Sequence, residues 1–306
     1  MNLVTELSSF TPPPVGTAVS IGAYDGVHLG HRAVLRELRR LARLGGHETV
    51  VVTFDRHPAS VVRPDSAPLL LTDLDQKLEV MAATGDVDHV VVVPFNEARA
   101  REEASDFVRE VLIESLRARL VVVGEDFHFG RGRRGNVGLL HEMGAEAGFE
   151  VVGLPLVGSV SSTRIRELLR AGDVAAASTL LGRVHEVRGI VVRGDGRGRE
   201  LGFPTANIEV PGDILLPRDG IYAGWYERPD GSVRAAAMSL GVRPMFPTQA
   251  PLLEAYVLDF EGDLYGEAAK ARFVERLRDE EKFDSIDLLV DQITKDVAAT
   301  RATLGA

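Results

Sequence analysis

The strongest constraint on the fold of this chain is a change of pattern near Gly182. Before this residue, short runs of β-branched apolar residues alternate with stretches of helical periodicity. Five runs are candidate strands, at residues 18–23, 49–54, 89–94, 120–124 and 150–155. Nearly every position in them is apolar, as in parallel strands that helices cover on both faces. The pattern therefore predicts a doubly wound parallel sheet with ligands at the carboxyl ends of its strands.

Two of the intervening stretches have a clear helical pattern. The apolar face of the first is formed by Val34, Leu35, Leu38 and Leu41. We expect this helix to end at Gly45 and Gly46, because glycine pairs commonly terminate helices. A second helix is expected at residues 105–116.

After Gly182 the chain contains short strand-like pieces separated by turn signals, such as residues 194–196, 211–213 and 229–231. This pattern predicts a small antiparallel β-barrel. One helix is expected at the end, capped by Asp284 or Ser285. Since no low-complexity linker separates the two patterns, we predict two adjoining domains, at residues 1–182 and 183–306.

Composition excludes several classes of function. The chain has no cysteine, so disulfides and thiolate metal sites are ruled out. A formal net charge of −10 argues against nucleic-acid binding. There is no apolar run of about 18 residues and no signal-peptide pattern, so we expect no membrane association and, by elimination, a cytoplasmic location. Two local basic stretches, at residues 131–134 and 193–199, are either solvated loop charge or small-anion sites.

The most specific feature of the first domain is residues 20–31, where the first predicted strand ends and the first helix begins. Glycines such as Gly30 let backbone approach a ligand, and a helix N-terminus attracts phosphate. His28 and His31 are three residues apart, hence on one face of the opening turn. Imidazoles at this point can donate hydrogen bonds to phosphates as charge develops. The alternative is a pair of surface or metal-binding histidines, but no third ligand lies at suitable spacing.

A second anion site is predicted where a later helix begins. Ser161, Ser162, Thr163 and Arg164 follow one another there. Hydroxyl groups and a guanidinium at the start of a helix are suited to binding phosphate. Because both segments would lie at the carboxyl ends of the strands, this one is expected to face the first site. A capping role would explain one serine, but it would not explain Arg164.

The second domain carries a glycine-rich loop followed by Pro204, Thr205 and Asn207. In an extended segment, Thr205 and Asn207 point to the same face and offer two neutral oxygen ligands for a phosphate-bound Mg²⁺. Such residues in an ordinary turn are the alternative. The chain contains no P-loop motif, so a P-loop kinase is excluded.

These motifs resemble a known family. His28 to His31 reads His-x-Gly-His, similar to the nucleotidyltransferase signature, and residues 24–31 resemble its version in bacterial FAD synthetases. Residues 53–58, 123–130 and 160–166 match that family in order. Residues 194–207, 216–224, 253–260, 263–266 and 273–283 are similar to riboflavin kinases. The resemblance covers nearly the whole chain, and it identifies the bacterial bifunctional riboflavin kinase/FAD synthetase (FMN adenylyltransferase) family.

The resemblance implies a fold and a set of site residues. The fold is a Rossmann-like nucleotidyltransferase domain followed by a small antiparallel β-barrel riboflavin kinase domain with a C-terminal helix. The catalytic residues it implies are His28, His31, Arg164 and Glu254. The implied binding residues are Gly22, Tyr24, Asp25, Gly30, Phe54, Asp126, Phe127, Ser162, Thr163, Arg166, Gly198, Arg199, Gly202 and Pro204. Thr205 and Asn207 are the implied Mg²⁺ ligands, and a core role for Phe54 or Phe127 is the alternative.

By the same resemblance, the chain uses ATP and Mg²⁺ to convert riboflavin to FMN and FMN to FAD, as a monomer or weak homo-oligomer. Departures from the family pattern are Tyr24, Arg56, His128, Arg243, Met245 and Tyr256. The last three fall in the kinase half, so two alternatives stay open. One is an adenylyltransferase whose kinase domain has drifted, and the other is a flavin-binding regulator without turnover.

Overall fold

A computed structural model describes residues 1–155, 157–194, 196–242 and 251–306. The chain divides into two compact units, Met1–Ser162 and Thr163–Ala306. Among the described residues, no helix is long and apolar enough to cross a membrane.

The first unit is built on a six-stranded parallel sheet. Its strands are β1 (Asn2–Val4), β2 (Thr17–Ile21), β3 (Glu48–Phe54), β4 (His89–Val93), β5 (Ala118–Gly124) and β8 (Glu150–Leu154), in the order β1-β4-β3-β2-β5-β8. A separate two-stranded ladder joins β6 (His128–Phe129) to β7 (Gly135–Asn136). From β2 the chain proceeds to one side through β3 and β4, and β5 lies on the other side. The strand order therefore reverses between β2 and β5, which is where a doubly wound sheet binds ligands.

Helices cover both faces of this sheet, which confirms the doubly wound fold. They are α1 (Leu29–Gly45), α2 (Ala59–Val62), α3 (Leu74–Thr84), α4 (Glu97–Arg101), α5 (Ala104–Phe107) with a π-helical continuation (Val108–Ser115), and α6 (Val137–Ala147). Leu35 and Leu38 of α1 are buried with Met81 of α3 against one face, and Leu112 and Leu140 against the other. As predicted, α1 ends at a glycine pair, because Gly46 adopts the left-handed conformation.

The second unit contains a closed antiparallel barrel. Its strands are β9 (His185–Val192), β10 (Ala206–Glu209), β11 (Gly220–Glu227), β12 (Val233–Val242), β13 (Pro251–Val257) and β14 (Ala268–Arg278), in the order β10-β13-β12-β11-β14-β9. Its helices are α7 (Ser162–Ala171), whose first residue belongs to the first unit, α8 (Val174–Leu181), α9 (Arg197–Glu200) and α10 (Ile286–Leu304). The predicted cap of the last helix is Ser285, whose hydroxyl accepts a hydrogen bond from the Leu288 amide at 3.3 Å.

The two compact units meet in sequence at residues 162/163, whereas the sequence pattern predicts a domain boundary at 182/183. The difference comes from α7 and α8. The Arg218 amide donates to the Leu169 carbonyl at 2.9 Å, and the His185 amide donates to the Ser178 hydroxyl at 3.0 Å. These bonds attach both helices to the second unit. The boundary at 182/183 stays a prediction.

Candidate active sites

The loop between β2 and α1 is held in an unusual conformation. Tyr24, Gly26 and Val27 all have positive φ angles, of 52°, 81° and 39°. A carboxylate oxygen of Asp25 accepts hydrogen bonds from the amides of Leu71 and Thr72, at 2.9 and 3.3 Å. Non-glycine residues with positive φ cost free energy and persist where their surroundings determine them, as these bonds do here. Asp25 therefore orients the loop that carries the two histidines.

The two histidines come together at the start of α1. His28 is the N-cap residue, and its Nδ1 accepts a hydrogen bond from the His31 amide at 3.3 Å. The two rings are stacked, with centroids 3.7 Å apart. Burial, and then the positive charges of His28 and Lys77, lowers the pKa of His31 well below its ordinary value of 6.5. His31 is consequently neutral at pH 7 and offers one N–H donor.

The predicted second anion segment begins against the same loop. The Ser162 hydroxyl donates to the backbone carbonyl of Asp25 at 3.0 Å. A Cβ added at Gly30 would lie 3.6 Å from the Val160 carbonyl oxygen, so the two segments are in close contact. Both lie beyond the carboxyl ends of their strands, beside the point where the strand order reverses.

The remaining residues of this motif belong to the second unit. Thr163 and Arg164 are exposed in the first turn of α7, and Arg166 is buried. The Arg164 guanidinium forms an ion pair with Glu167 at 2.9 Å. An exposed ion pair of this kind contributes little stability.

The aromatic candidates lie in different environments. Phe54 and Phe127 are partly buried against the core of the first unit, next to Phe95 and Phe129 respectively. Tyr24 is only 4% exposed; its hydroxyl forms a hydrogen bond with Ser20, and its ring lies 5.0 Å from that of His31. Tyr24 therefore supports His31 from within the core.

Two further residues of the motifs lie beside these aromatic groups. Asp126 is exposed near the end of β5. Gly22 follows β2 directly, and a Cβ there would lie 3.1 Å from the Tyr24 ring, so the backbone passes close to this side chain.

In the second unit, the predicted Asn207 and Glu254 are direct neighbours across two strands. Asn207 on β10 is opposite Glu254 on β13, which is opposite Ser239 on β12. Residues directly opposite on antiparallel strands present their side chains to the same face. All three line one cavity of about 1360 Å³, together with Thr205. The register thus brings together Asn207 and Glu254, which the sequence identified in separate motifs.

The glycine-rich loop packs tightly on this row. A Cβ at Gly198 would collide with the Phe203 carbonyl oxygen and would lie 3.4 Å from the Thr205 hydroxyl. A Cβ at Gly194 would overlap the Asn207 amide. The other predicted loop residues that line the same cavity are Arg199 and Pro204. Gly202 has a φ of 84°, so its turn favours glycine.

The donor set suits a phosphate-bound Mg²⁺ better than a metal held by protein alone. Thr205 and Asn207 offer two neutral oxygens, and Asn207 is only 6% exposed. In the described part of the chain, no group of three or more histidine, aspartate or glutamate side chains is placed to hold a metal. Mg²⁺ commonly takes one or two protein ligands and completes its shell with phosphate oxygens and water.

The far side of this cavity is formed by the segment between β14 and α10. Arg278 lies opposite Ile221, and its guanidinium binds both carboxylate oxygens of Asp296 on α10, at 2.9 and 2.7 Å. This buried pair fixes both ends of the segment. Tyr256, one of the departures from the family pattern, lies edge-on to Phe203 of the glycine-rich loop, with centroids 5.3 Å apart. Arg243 and Met245, the other two departures in this half, lie outside the described residues.

Comparisons with known proteins match both parts of the chain. A family model for FAD synthetase matches residues 11–167, and one for riboflavin kinase matches residues 181–304. A bifunctional riboflavin kinase/FMN adenylyltransferase of Escherichia coli (strain K12) is 36% identical, covering 100% of this chain and 98% of the relative. The enzyme of the same name from Listeria monocytogenes is 37% identical, over 94% and 92% of the two chains.

This chain belongs to the bifunctional riboflavin kinase/FMN adenylyltransferase family. A solved structure of a protein described as a macrolide-efflux protein, from Streptococcus pneumoniae, has the same fold. It matches with a TM-score of 0.86 and 31% identity, over 98% of both chains. Because both family models match, the two-activity interpretation is favoured over a lone adenylyltransferase and over a flavin-binding regulator.

Besides Ser239, two polar residues of these sites were not predicted from the sequence. Lys77 of α3 is 7% exposed and lines a small pocket with Asp25, Asp55 and His57. Glu280 lines the kinase cavity, and its carboxylate lies 3.5 Å from the Ser239 hydroxyl. Burial, followed by the negative charges of Asp219 and Glu254, raises the pKa of Glu280. Local patterns conceal both residues, because a lysine or glutamate in a helix or turn is usually solvated.

Proposed function

We propose that this bifunctional family member phosphorylates riboflavin in its second unit and adenylylates FMN in its first. The observation that carries the proposal is the row Asn207–Glu254–Ser239, together with the stacked His28 and His31. Each set lies on its own rigid scaffold, as positioned catalytic groups require. The proposed domain limits are residues 1–182 and 183–306, and the two matched family models support them.

In the kinase reaction, the riboflavin 5′-hydroxyl oxygen attacks the γ-phosphorus of ATP and ADP leaves. Glu254 accepts the hydroxyl proton, because its carboxylate faces the cavity beside Asn207. Thr205 and Asn207 would hold Mg²⁺ against the phosphates, and Gly198, Arg199, Gly202 and Pro204 would enclose them. When bound, Mg²⁺ neutralises phosphate charge and aligns the transferred group.

In the adenylyltransferase reaction, a phosphate oxygen of FMN attacks the α-phosphorus of ATP and pyrophosphate leaves. No covalent enzyme intermediate is required, so these residues act by positioning and by stabilising charge. His28 and His31 donate hydrogen bonds to the phosphates, and Arg164 adds a positive charge. Residues proposed to contact nucleotide or flavin are Gly22, Gly30, Phe54, Asp126, Phe127, Ser162, Thr163 and Arg166. Asp25 and Tyr24 act through the loop that they hold.

The partners we propose are riboflavin, FMN and ATP, with no nucleic acid, for a cytoplasmic monomer or weak homo-oligomer. A net charge of −10 supports the exclusion of nucleic acid. Residues 243–250, which include two departures from the family pattern, lie outside the described residues.

One assay tests the proposal. Purified protein is incubated with riboflavin, ATP and Mg²⁺, and the flavins are separated by chromatography. FAD is the expected product, and its formation should stop when Mg²⁺ is chelated. FAD formed only when FMN is supplied would identify a lone adenylyltransferase. Unchanged flavin under both conditions would identify a binding protein.

A further inference from the structure

Lys77 is an unusual residue for this chain. Of its 35 lysine and arginine residues, only four are lysines, and Lys77 is the only lysine among residues 1–162. It is 7% exposed, although lysine side chains are rarely buried. Lysine is thus rare in this chain, and this lysine is buried beside the candidate adenylyltransferase site.

The ammonium group of Lys77 links two segments of that site. It donates to the Phe54 carbonyl at 2.9 Å, the Thr53 hydroxyl at 3.1 Å and the Ala23 carbonyl at 3.4 Å. Ala23 belongs to the loop that leads to His28, and the other two acceptors lie at the end of β3. Since an ammonium has three donors, all three are used within the protein. Lys77 therefore acts on the segments around it and leaves no donor for a ligand.

The geometry explains why lysine occupies this position. Three oxygen acceptors lie within 3.4 Å of one nitrogen atom, which suits a compact ammonium better than a planar guanidinium. The titratable groups that face it are the carboxylates of Asp25, in the loop after β2, and Asp55, after β3, together with the neutral His31 on α1. Burial lowers the pKa of Lys77 to about 8, and the two carboxylates oppose that shift. An apolar residue would be buried at lower cost, so the retained charge indicates a role.

We propose that Lys77 is a positioning residue for adenylyl transfer. It ties the loop that leads to His28 and His31 to the end of β3 that carries Phe54, and so fixes the distance between the phosphate and flavin segments. This inference rests on the proposed adenylyltransferase function. Loss of the Lys77 hydrogen bonds should change the placement of FMN relative to ATP more than it changes the affinity for either substrate, because each segment keeps its own side chains.

The test compares Lys77→Met, which keeps the length of the side chain, with Lys295→Met, an exposed lysine on α10. In Lys77→Met we expect kcat for FAD formation from FMN to fall about 10- to 100-fold, because misplacing the reacting groups by about 1 Å lowers the rate by a factor of this order. KM for each substrate should change less than about threefold, because the ground-state contacts persist. The riboflavin kinase rate of the same sample is the internal reference, and it should match the control.

A pH profile separates positioning from general support of the fold. In the wild type, kcat for FAD formation should decline above pH 8 as the Lys77 ammonium loses its proton. That decline should be absent in Lys77→Met and retained in the control. A kcat like that of the wild type would overturn the proposal, and so would an equal loss of both activities.

Thr53→Val is a second variant for the case in which Lys77→Met does not fold. It removes one acceptor and keeps the charge and the shape of the site, so kcat should fall in the same direction by a smaller factor. An unchanged kcat in Thr53→Val would then overturn the proposal. A wild type that forms no FAD would overturn both this proposal and the function on which it rests, whereas an active wild type confines a failure to Lys77.

Discussion

His31 and Lys77 are two basic groups buried at one site, and only one of them carries a positive charge. Both are removed from water, which lowers the pKa of each, and the positive charge of Lys77 lowers the pKa of His31 further. The proton stays on Lys77, whose three hydrogen bonds favour the charged form, and it leaves His31, whose Nδ1 is buried without a partner. Neutral His31 can therefore act as a hydrogen-bond donor to phosphate without itself adding a buried charge.

Removing either imidazole should impair only the adenylyltransferase. We expect His28→Ala and His31→Ala each to lower kcat for FAD formation about 10²- to 10³-fold, the usual cost of losing one donor to developing charge. Because the pKa of His31 is lowered, its protonation should cause no loss of rate between pH 6.5 and 8. Exposed His141 on α6 provides the control variant His141→Ala. Rates within twofold of wild type in the first two variants would contradict the assignment.

Glu254 should be needed for the kinase reaction alone. Glu254→Gln keeps the size of the side chain and removes the proton acceptor, so kcat for FMN formation should fall about 10²- to 10⁴-fold. Formation of FAD from added FMN should remain at the wild-type rate, which also shows that the chain is folded. Glu261→Gln, at an exposed position, is the matched control. If FMN formation persists in Glu254→Gln, another group accepts the proton, and Glu280 is the nearest acidic candidate.

At the scale of elements, the glycine-rich loop and strand β10 function as one unit, because a Cβ at Gly194 would overlap Asn207 and a Cβ at Gly198 would collide with the Phe203 carbonyl. Gly198→Ala would push the loop away from the Phe203 carbonyl and from Thr205. Overpacking of this kind costs about 1–3 kcal/mol, so we expect KM for ATP in the kinase reaction to rise about tenfold or more. Gly212→Ala, where a Cβ meets nothing within 4 Å, is the control. An unchanged KM in Gly198→Ala would show that the loop does not bind ATP.

The sequence predicted those elements whose pattern is local. Each of the five buried strands is a continuous apolar run, and α10 has both a cap and an apolar stripe. The three-residue strand Asn2–Val4 is too short to show a period. Helix α3 went unnoticed because its buried side includes Gln76 and Lys77 as well as Leu78 and Met81, which breaks the apolar stripe. The barrel depends on β9 pairing with β14 and on β10 pairing with β13, and in each pair the two strands are distant in sequence.

The same distinction applies to the candidate sites. His28 and His31 could be paired from their spacing alone, because one helical turn brings them together. The closeness of Asn207, Glu254 and Ser239 depends on strand register, which local patterns do not specify. Glu254 was predicted from the resemblance to a family, whereas Lys77 lies in none of the segments that carry this resemblance.

At the scale of the whole molecule, the stacked histidines and the row that contains Glu254 belong to different compact units, and Arg164, also proposed for adenylyl transfer, belongs to the second unit. The stacked histidines lie within Met1–Ser162, and the row containing Glu254 lies within Thr163–Ala306. Each unit has its own sheet or barrel, so each set of side chains is held in place by its own core. FMN is the product of one site and the substrate of the other, and it therefore connects the two activities.

Two singly defective chains should consequently complement each other. We expect a mixture of Glu254→Gln and His28→Ala/His31→Ala proteins to convert riboflavin to FAD, although neither variant does so alone. The His28→Ala/His31→Ala chain retains the kinase and releases FMN, and the Glu254→Gln chain adenylylates it. FAD should follow a lag in which FMN accumulates, measured by chromatography over time. An FMN-binding apoprotein added as a trap should abolish FAD formation by the mixture. If the mixture forms no FAD while wild type does, FMN must stay on the chain that made it, and the two units would act as one coupled enzyme.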